Sequence, residues 1–286
     1  MAAGGRGVPS PEMWRRFRRN RLATVGLAII LVEVAAAVLA PVITFADPGR
    51  VDPAASLSSP SADHWFGTDL LGRDLYSRVV YGARVSLQVG IVAVLIALAI
   101  GLVAGAAAGW FGGFVDGLVM RVTDVFLAFP YVLAAIAVIT AVGRGKTAVT
   151  VVLGLLGWMP IARLIRSSVL QAKQTDYVEA ARAVGAADLR ILVGHVLPNA
   201  VQPVVVFAAM FVGTAVLSEA ALSFLGAGIT EPTAAWGLMM AQGKDFLFTA
   251  PHLLFFPGAA VFLTVMAFVF VGDGLRDALD PRVAVR

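Results

Sequence analysis

Side chains that could do chemistry are few in this sequence and lie far apart. The three histidines, His64, His195 and His252, fall in different segments, and the chain has no cysteine. The lack of cysteine excludes disulfides, thiol catalysis and cysteine-based metal sites. His64 with Asp69 and Asp74 could ligate a metal ion, but one histidine and two carboxylates at these spacings are weak evidence. We predict no catalytic site, no metal site and no cofactor bound by this chain.

A phosphate-binding loop is the second chemistry to consider. Residues 143–147 read GRGKT, which ends like such a loop. The first glycine of that motif should stand where Thr140 stands, and no strand precedes the segment. We interpret it as a turn, so the chain is not predicted to hydrolyse nucleotides by itself.

Four ionisable side chains lie within apolar runs, where a charge is costly in lipid. Glu33 is expected to face other helices and to make a structural hydrogen bond. Glu219 could contact substrate or a partner helix, although packing is the favoured role. Arg121 and Asp124 stand three residues apart, a spacing that allows them to pair with each other near the entrance of a span.

Composition shows which elements must position these side chains. The chain has 286 residues, of which 59% are hydrophobic and 14% charged, and its mean hydropathy is +0.86. Apolar runs of about 20 residues recur, which is the length that spans a bilayer. The net charge of +4 does not favour nucleic acid as a partner, because the basic residues lie between the apolar runs. We predict an all-α polytopic membrane protein with six transmembrane helices, at 22–45, 85–108, 118–141, 148–165, 201–225 and 252–271.

Small residues and a proline within the spans indicate how the helices pack. Gly101, Gly105 and Gly109 recur every four residues in the second span, a pattern that lets another helix approach closely. Pro130 lies in the middle of the third span and predicts a kink. These residues, with Arg121, Asp124 and Glu219, are our candidates for structural or gating roles.

The distribution of lysine and arginine predicts the orientation. A basic arm at 1–21 carries Trp14 and Phe17 and is expected to lie on an anionic leaflet. With six spans, fifteen of the 22 basic residues fall on the side of both termini and seven on the other. The positive-inside rule therefore places both termini in the cytoplasm. A cleaved signal peptide is disfavoured, because the first apolar run is about 24 residues long and lacks a clean cleavage site.

The long polar interruption in the second half is the segment 176–199, DYVEAARAVGAADLRILVGHVLPN. A helix is predicted over 177–184, with Asp176 as its cap and a break at Gly185. A second, amphipathic helix is predicted over 187–195. The tripeptide Leu197-Pro198-Asn199 is expected to stop this second helix.

Two short helices between membrane spans form a compact projection on which a soluble partner could push. A DNA-binding helix-turn-helix is the competing interpretation. It is disfavoured because membrane spans flank the segment at both ends.

This segment resembles the EAA loop of the inner-membrane permease subunits of bacterial ABC importers. The residues that carry the resemblance are Glu179, Ala180, Ala181, Gly185, His195, Leu197 and Pro198. Most of the family has an aliphatic residue where His195 stands, and histidine there is similar to the variant of dipeptide and oligopeptide permeases.

Two further stretches are similar to the peptide/nickel permeases. The loop before the second span matches a signature of their C-type subunit, carried by Gly67, Asp69, Gly72, Arg73 and Asp74. The third span matches at Asp116, Met120, Arg121, Asp124, Phe129 and Pro130. The resemblance therefore covers nearly the whole chain.

The resemblance implies a type I ABC importer permease fold with a cytoplasmic coupling helix. It implies an amino-terminal region at 1–84, a permease core at 85–275 and a cytoplasmic tail at 276–286. It also implies a bacterial inner-membrane location and four kinds of neighbour: a second permease, two ATPase subunits that use ATP and Mg²⁺, an extracytoplasmic substrate-binding protein and the lipid bilayer.

The resemblance identifies the substrate less specifically than it identifies the type of transporter. Di- and oligopeptides are the first expectation, and the same machinery importing nickel or glutathione is the alternative. An ATP-independent secondary transporter or channel would need a relay of buried carboxylates or an inverted repeat, and neither is evident. A purely structural assembly subunit remains a further alternative.

Overall fold

The computed structural model describes residues 11–279, with side chains from residue 13 onward. The regular elements within this range are helical, which confirms the all-α prediction. They are α1 (Pro11–Arg19), α2 (Arg21–Ile43), α3 (Leu75–Phe111), α4 (Gly113–Leu127), α5 (Tyr131–Val142), α6 (Lys146–Ala172), α7 (Asp176–Ala183), α8 (Asp188–Ile191), a π-helical turn (Leu192–Val196), α9 (Leu197–Ala200), α10 (Gln202–Phe224), α11 (Trp236–Gly243) and α12 (His252–Leu279), with short 3₁₀ turns at Pro53–Ala55 and Lys244–Phe246. The parts of the predicted arm and tail at 1–10 and 280–286 lie outside the described residues.

Five helices, α2, α3, α6, α10 and α12, are long and apolar enough to cross a membrane, and α4 with α5 form a sixth, bent pair. Helices satisfy their own backbone hydrogen bonds, which is why they can cross lipid. The third predicted span, a kinked helix over 118–141, is wrong in detail, because α4 and α5 meet at 89°. Pro130 has no N–H and disfavours helical backbone at Phe129, so α4 ends at Leu127 and α5 starts after the proline.

The helix α3 is the longest element, about 55 Å at 1.5 Å per residue. It begins ten residues before the predicted second span, because Asp74 caps it by accepting a hydrogen bond from the Ser77 amide at 2.8 Å. Its glycines lie against α6: a Cβ on Gly105 would stand 2.8 Å from the Ala162 Cα, and one on Gly109 would stand 2.9 Å from the Arg166 carbonyl. The two helices are therefore in backbone contact over two turns.

The bundle has two distinct ends. At the loop end, where 44–74 and 225–251 fold, the Arg78 side chain of α3 donates to the Pro48 carbonyl at 3.1 Å, and His252 at the start of α12 lies 3.3 Å from the Thr68 carbonyl. At the termini end, Phe17 of α1 packs on Gly274 near the end of α12. The segment 176–199 lies at the termini end, where α3 and α6 finish.

Candidate functional site: the segment 176–199

The helix α7 ends in a complete glycine cap. Gly185 has a φ of +78°, and its amide donates to the Arg182 carbonyl at 2.9 Å, while the Ala186 amide donates to the Ala181 carbonyl at 3.1 Å. This pair of bonds is the Schellman arrangement, which requires left-handed backbone at the glycine. The predicted break at Gly185 has this geometry as its cause.

The predicted capping role of Asp176 is wrong. Thr175 is the residue before the first turn of α7, and its hydroxyl donates instead to the Ala172 carbonyl at 2.6 Å. Asp176 is the first helical residue, where its charge is still favourable at the positive end of the helix dipole.

The predicted stop at Leu197-Pro198-Asn199 is also wrong. After α8 the chain makes one wide π turn, in which the Leu197 amide donates to the Leu192 carbonyl, and then continues through α9 towards α10. Proline cannot complete an ordinary α-helical turn, since it lacks an N–H and its ring crowds the preceding turn. The wider turn accommodates Pro198 without ending the helix.

One face of this segment is fixed to the bundle. Val178, Ile191, Leu192 and Val196 are buried in a cluster formed with the ends of α3 and α6. Non-directional apolar packing of this kind holds the two short helices against the membrane helices.

The opposite face is open and partly apolar. Val184 is 84% exposed, and Leu189 and Val193 are exposed as well. Among the predicted coupling residues, Glu179, Ala180, Gly185, His195 and Pro198 are exposed, whereas Ala181 and Leu197 are half-buried. We call this face, from 177 to 195, the exposed coupling face. It offers small and apolar side chains together with four exposed charged ones, Glu179, Arg182, Asp188 and Arg190, and a partner can approach its backbone closely.

A buried tryptophan joins this segment to α3, a contact that no motif in the sequence indicates. Trp110 is 3% exposed at the end of α3. The Arg182 Cζ of α7 lies 5.3 Å from its ring centroid and the Lys173 Nζ lies 5.5 Å from it. Lys173 Nζ also donates to the Trp110 carbonyl at 2.6 Å.

Interhelical ion pairs connect α4 to α6, and the predicted pairing of Arg121 with Asp124 is wrong. Asp124 instead accepts from Arg163 of α6, and Asp116 accepts from Arg166 at 2.6 Å. The correction has a geometric reason: α4 runs beside α6, so a guanidinium from the neighbouring helix reaches Asp124. Arg121 lies exposed on α4.

The loop end carries an ion cluster built on the predicted signature. Arg73 donates from Nε to Asp69 at 2.6 Å and, through its two terminal nitrogens, to both oxygens of Glu231 at 2.9 and 3.0 Å. Arg78 is buried, with its Nε 3.5 Å from Asp69 Oδ2 and its Nη2 3.6 Å from Glu231 Oε1. This cluster joins the loop before α3 to the loop after α10.

Glu231 is the member of this cluster that sequence reasoning missed, because no spacing relates it to Arg73. Burial raises the pKa of Glu231, but hydrogen bonds from Arg73 and Gln242 outweigh that effect, and the pKa lies below its ordinary value. Glu231 is therefore a carboxylate at neutral pH.

Two glycines of the signature are sterically required. Gly67 and Gly72 have φ values of +77° and +70°, and a Cβ on Gly72 would overlap the Asp52 carbonyl. Asp74 caps α3 and its Oδ1 also lies 3.0 Å from the His64 Nδ1, while Asp69 accepts from Arg73. Across the described residues, no group of three or more His, Cys, Asp or Glu side chains is arranged to hold a metal ion.

Glu33 and Glu219, the glutamates within the membrane-spanning helices, bridge helices. Glu33 of α2 accepts from the Thr264 hydroxyl of α12 at 2.8 Å. Glu219 of α10 is fully buried and accepts from Ser86 of α3 at 2.9 Å and from Ser223 at 2.8 Å. Both glutamates thus make hydrogen bonds within the helix bundle, as the favoured structural role requires.

The fold and this segment together define a helical, multi-pass membrane subunit with an exposed projection at one end. A family described as the inner membrane component of binding-protein-dependent transport systems matches residues 97–285, and the amino-terminal transmembrane domain of oligopeptide transport permease C matches residues 9–60. A solved structure of the MetNI methionine ABC transporter, in inward-facing conformations, has a chain with the same fold, with a TM-score of 0.59 at 21% identity, over 71% of this chain and 97% of that one.

Curated relatives are closer in sequence. The glutathione transport system permease protein GsiD of Salmonella typhimurium is 47% identical over 277 residues, which cover 96% of this chain and 91% of the relative, and GsiD of Escherichia coli O6:H1 is 44% identical over the same shares. The chain belongs to the ABC importer permeases of the peptide/nickel family. It is thus an inner-membrane transport subunit, and the ATPase activity of such importers resides in a partner subunit.

Proposed function

We propose that this chain forms the substrate path together with a second, related permease and receives the force for transport through the exposed coupling face. One observation carries the proposal: two short helices are packed firmly on α3 and α6 by Val178, Ile191 and Leu192, yet present the exposed coupling face, with both apolar and charged side chains, outward. A projection that is rigid on one side and open on the other can be moved by a partner without slipping. We assign the partner as an ATPase subunit, one for each permease.

The side of the membrane follows from charge. The termini end holds α1 with Arg15, Arg18 and Arg19 and the basic residues of 163–190, and the sequence places fifteen basic residues on this side against seven on the other. The positive-inside rule then favours the termini end as cytoplasmic. The coupling face lies where ATP is available, and the loop end faces an extracytoplasmic substrate-binding protein.

We propose short peptides as the substrate class, with the tripeptide glutathione as the first member to test. The support is the name of relatives that are 47% identical over almost their whole length. Nickel serves as the competing substrate in the test.

The test is ATP-driven uptake by the reconstituted complex of both permeases, the ATPases and the binding protein. Labelled glutathione, a dipeptide and Ni²⁺ are offered separately, and we expect glutathione or the dipeptide to accumulate only with ATP. Uptake of Ni²⁺ alone would replace the peptide assignment, and uptake without ATP would overturn the proposal itself.

Gly185→Arg tests the coupling face within this assay. It should abolish uptake while the protein still inserts, because it disturbs the left-handed turn and adds a bulky charge at the face. Gly143→Arg is the matched control: Gly143 also has a positive φ, of +105°, and open space around its Cβ position, but it lies at the loop end. Equal uptake by Gly185→Arg and wild-type protein would count against the coupling role.

A further inference from the structure

Trp110 lies where three separate elements meet. It lies in the last turn of α3, Lys173 is the cap residue after α6, and Arg182 lies in the last turn of α7. The two cations lie 5.5 and 5.3 Å from the centroid of its buried ring. A cation over a tryptophan face is attracted by the negative charge of the ring, and the attraction strengthens where water is excluded.

These contacts are directional, which the apolar packing around them is not. Burial of apolar surface holds the segment against the bundle, but it is non-directional and does not by itself specify one orientation of two side chains. The Lys173 hydrogen bond to the Trp110 carbonyl, at 2.6 Å, fixes both the backbone and the ring of Trp110 relative to α6. Arg182 adds a contact to α7 and also lies 3.7 Å from Asp188 of α8, so it touches both short helices and the ring.

The helix α3, which carries Trp110 in its last turn, reaches the opposite end of the bundle. Close glycine contacts at Gly101, Gly105 and Gly109 hold α3 to α6 along the way. At the loop end the same helix carries Arg78, which is buried beside Asp69 and Glu231. A displacement applied at Trp110 therefore acts on a rigid rod whose far end lies in the ion cluster of the loop end.

We propose that Trp110 is the positioning residue through which movement of the segment 176–199 is passed to α3, with Arg182 and Lys173 as the cations that prevent it from slipping. The inference rests on the proposed function and adds the contact that transmits the force. If Trp110 has this role, its replacement changes the amount of substrate transported per ATP hydrolysed, while the importer complex still assembles normally.

The test measures both rates in proteoliposomes that contain the complete importer, per assembled complex. Trp110→Leu should keep ATP hydrolysis but lower the transported substrate per ATP about fivefold, because the ring and both cation contacts are lost. Trp110→Phe, which keeps an aromatic face, should stay within about twofold of wild type. Trp236→Leu is the control, since it removes another buried indole, at the loop end, and should leave the ratio unchanged.

Arg182 supplies a variant that is safe for folding, because its side chain is exposed at 43%. Arg182→Gln should lower the ratio about twofold and Arg182→Lys should preserve it, since only the second keeps a cation over the ring. Combined with Trp110→Leu, Arg182→Gln should add no further loss, because both act through one contact.

The outcomes separate this inference from the proposed function. A normal ratio in both Trp110→Leu and Arg182→Gln, together with uncoupling in Gly185→Arg, would overturn the role of Trp110 and leave the coupling face intact. A normal ratio in all three would overturn both. An equal fall in Trp236→Leu would show a general effect of losing a buried ring and would also overturn the role of Trp110.

Discussion

Replacement of Gly105 by alanine tests the close contact of α3 with α6. A Cβ at this position would stand 2.8 Å from the Cα and 3.0 Å from the carbonyl carbon of Ala162, with the carbonyl oxygen closer still. These are backbone atoms within α6, so no side-chain rotation relieves the overlap. Overpacking of this kind costs about 1–3 kcal/mol, and a backbone clash belongs at the upper limit.

The helix propensity of alanine offsets about 1 kcal/mol of that cost. We therefore expect a net destabilisation of about 2 kcal/mol, which lowers the melting temperature by about 4–8 °C for a chain of this size. Thermal unfolding of the purified subunit, followed by tryptophan fluorescence, measures the shift.

Two comparisons make the reasoning refutable. Gly117→Ala, in α4, introduces a Cβ with no heavy atom within 4 Å, so its melting temperature should equal or exceed that of wild type. Gly101→Ala should have a smaller effect than Gly105→Ala, because only one of its three nearest atoms is a backbone atom, the Trp158 carbonyl oxygen at 2.8 Å, whereas all three at Gly105 are backbone atoms. A melting temperature for Gly105→Ala at or above the wild-type value would refute the close backbone packing.

Three further predictions concern the charged contacts and the signature loop. Glu231→Gln should lower the melting temperature by a few degrees at pH 7. Since the pKa of Glu231 is depressed in the folded protein, the wild-type protein should lose its advantage over the variant only as the pH falls below the ordinary glutamate pKa of about 4.3. A difference in melting temperature that does not depend on pH would contradict this. Asp116→Arg or Arg166→Asp alone should each lower the free energy of unfolding by about 1 kcal/mol, and the double exchange should restore it, as measured by thermal unfolding. A double variant whose loss equals the sum of the two single losses would exclude the ion pair. Gly72→Ala should reduce the yield of folded protein, because its Cβ would overlap the Asp52 carbonyl, and a wild-type yield after size-exclusion chromatography would contradict that geometry.

Local patterns in the sequence predicted part of the local structure. Gly185 follows an alanine-rich run and closes α7 as predicted, whereas Asp176 does not cap that helix. The spacing of Gly101, Gly105 and Gly109 indicated a close helix neighbour, although only the structure identifies it as α6. Such features depend on residues a few positions apart, which the sequence displays directly.

Contacts between distant segments were beyond such reasoning. Asp124 pairs with Arg163, 39 positions away, and not with Arg121 three positions away, because α4 lies beside α6. Glu231 meets Arg73 across 158 positions, and nothing in its surroundings marks it for that role. The π turn before Pro198 was likewise missed, since proline predicts an interruption but does not specify how a helix accommodates it.

The proposed function requires that residues 176–199 transmit force from an ATPase on the cytoplasmic side. Because the chain has no cysteine, a single introduced thiol reports from one position. Val184→Cys, at a side chain 84% exposed on the coupling face, and Phe248→Cys, at one 97% exposed at the loop end, form a matched pair for site-specific crosslinking in the assembled complex. We predict that Val184→Cys crosslinks to an ATPase subunit and does not react with a membrane-impermeant thiol reagent added outside intact cells. Phe248→Cys should react with that reagent. Labelling of Val184→Cys from outside, or the absence of a crosslink to an ATPase subunit, would contradict the proposed coupling role.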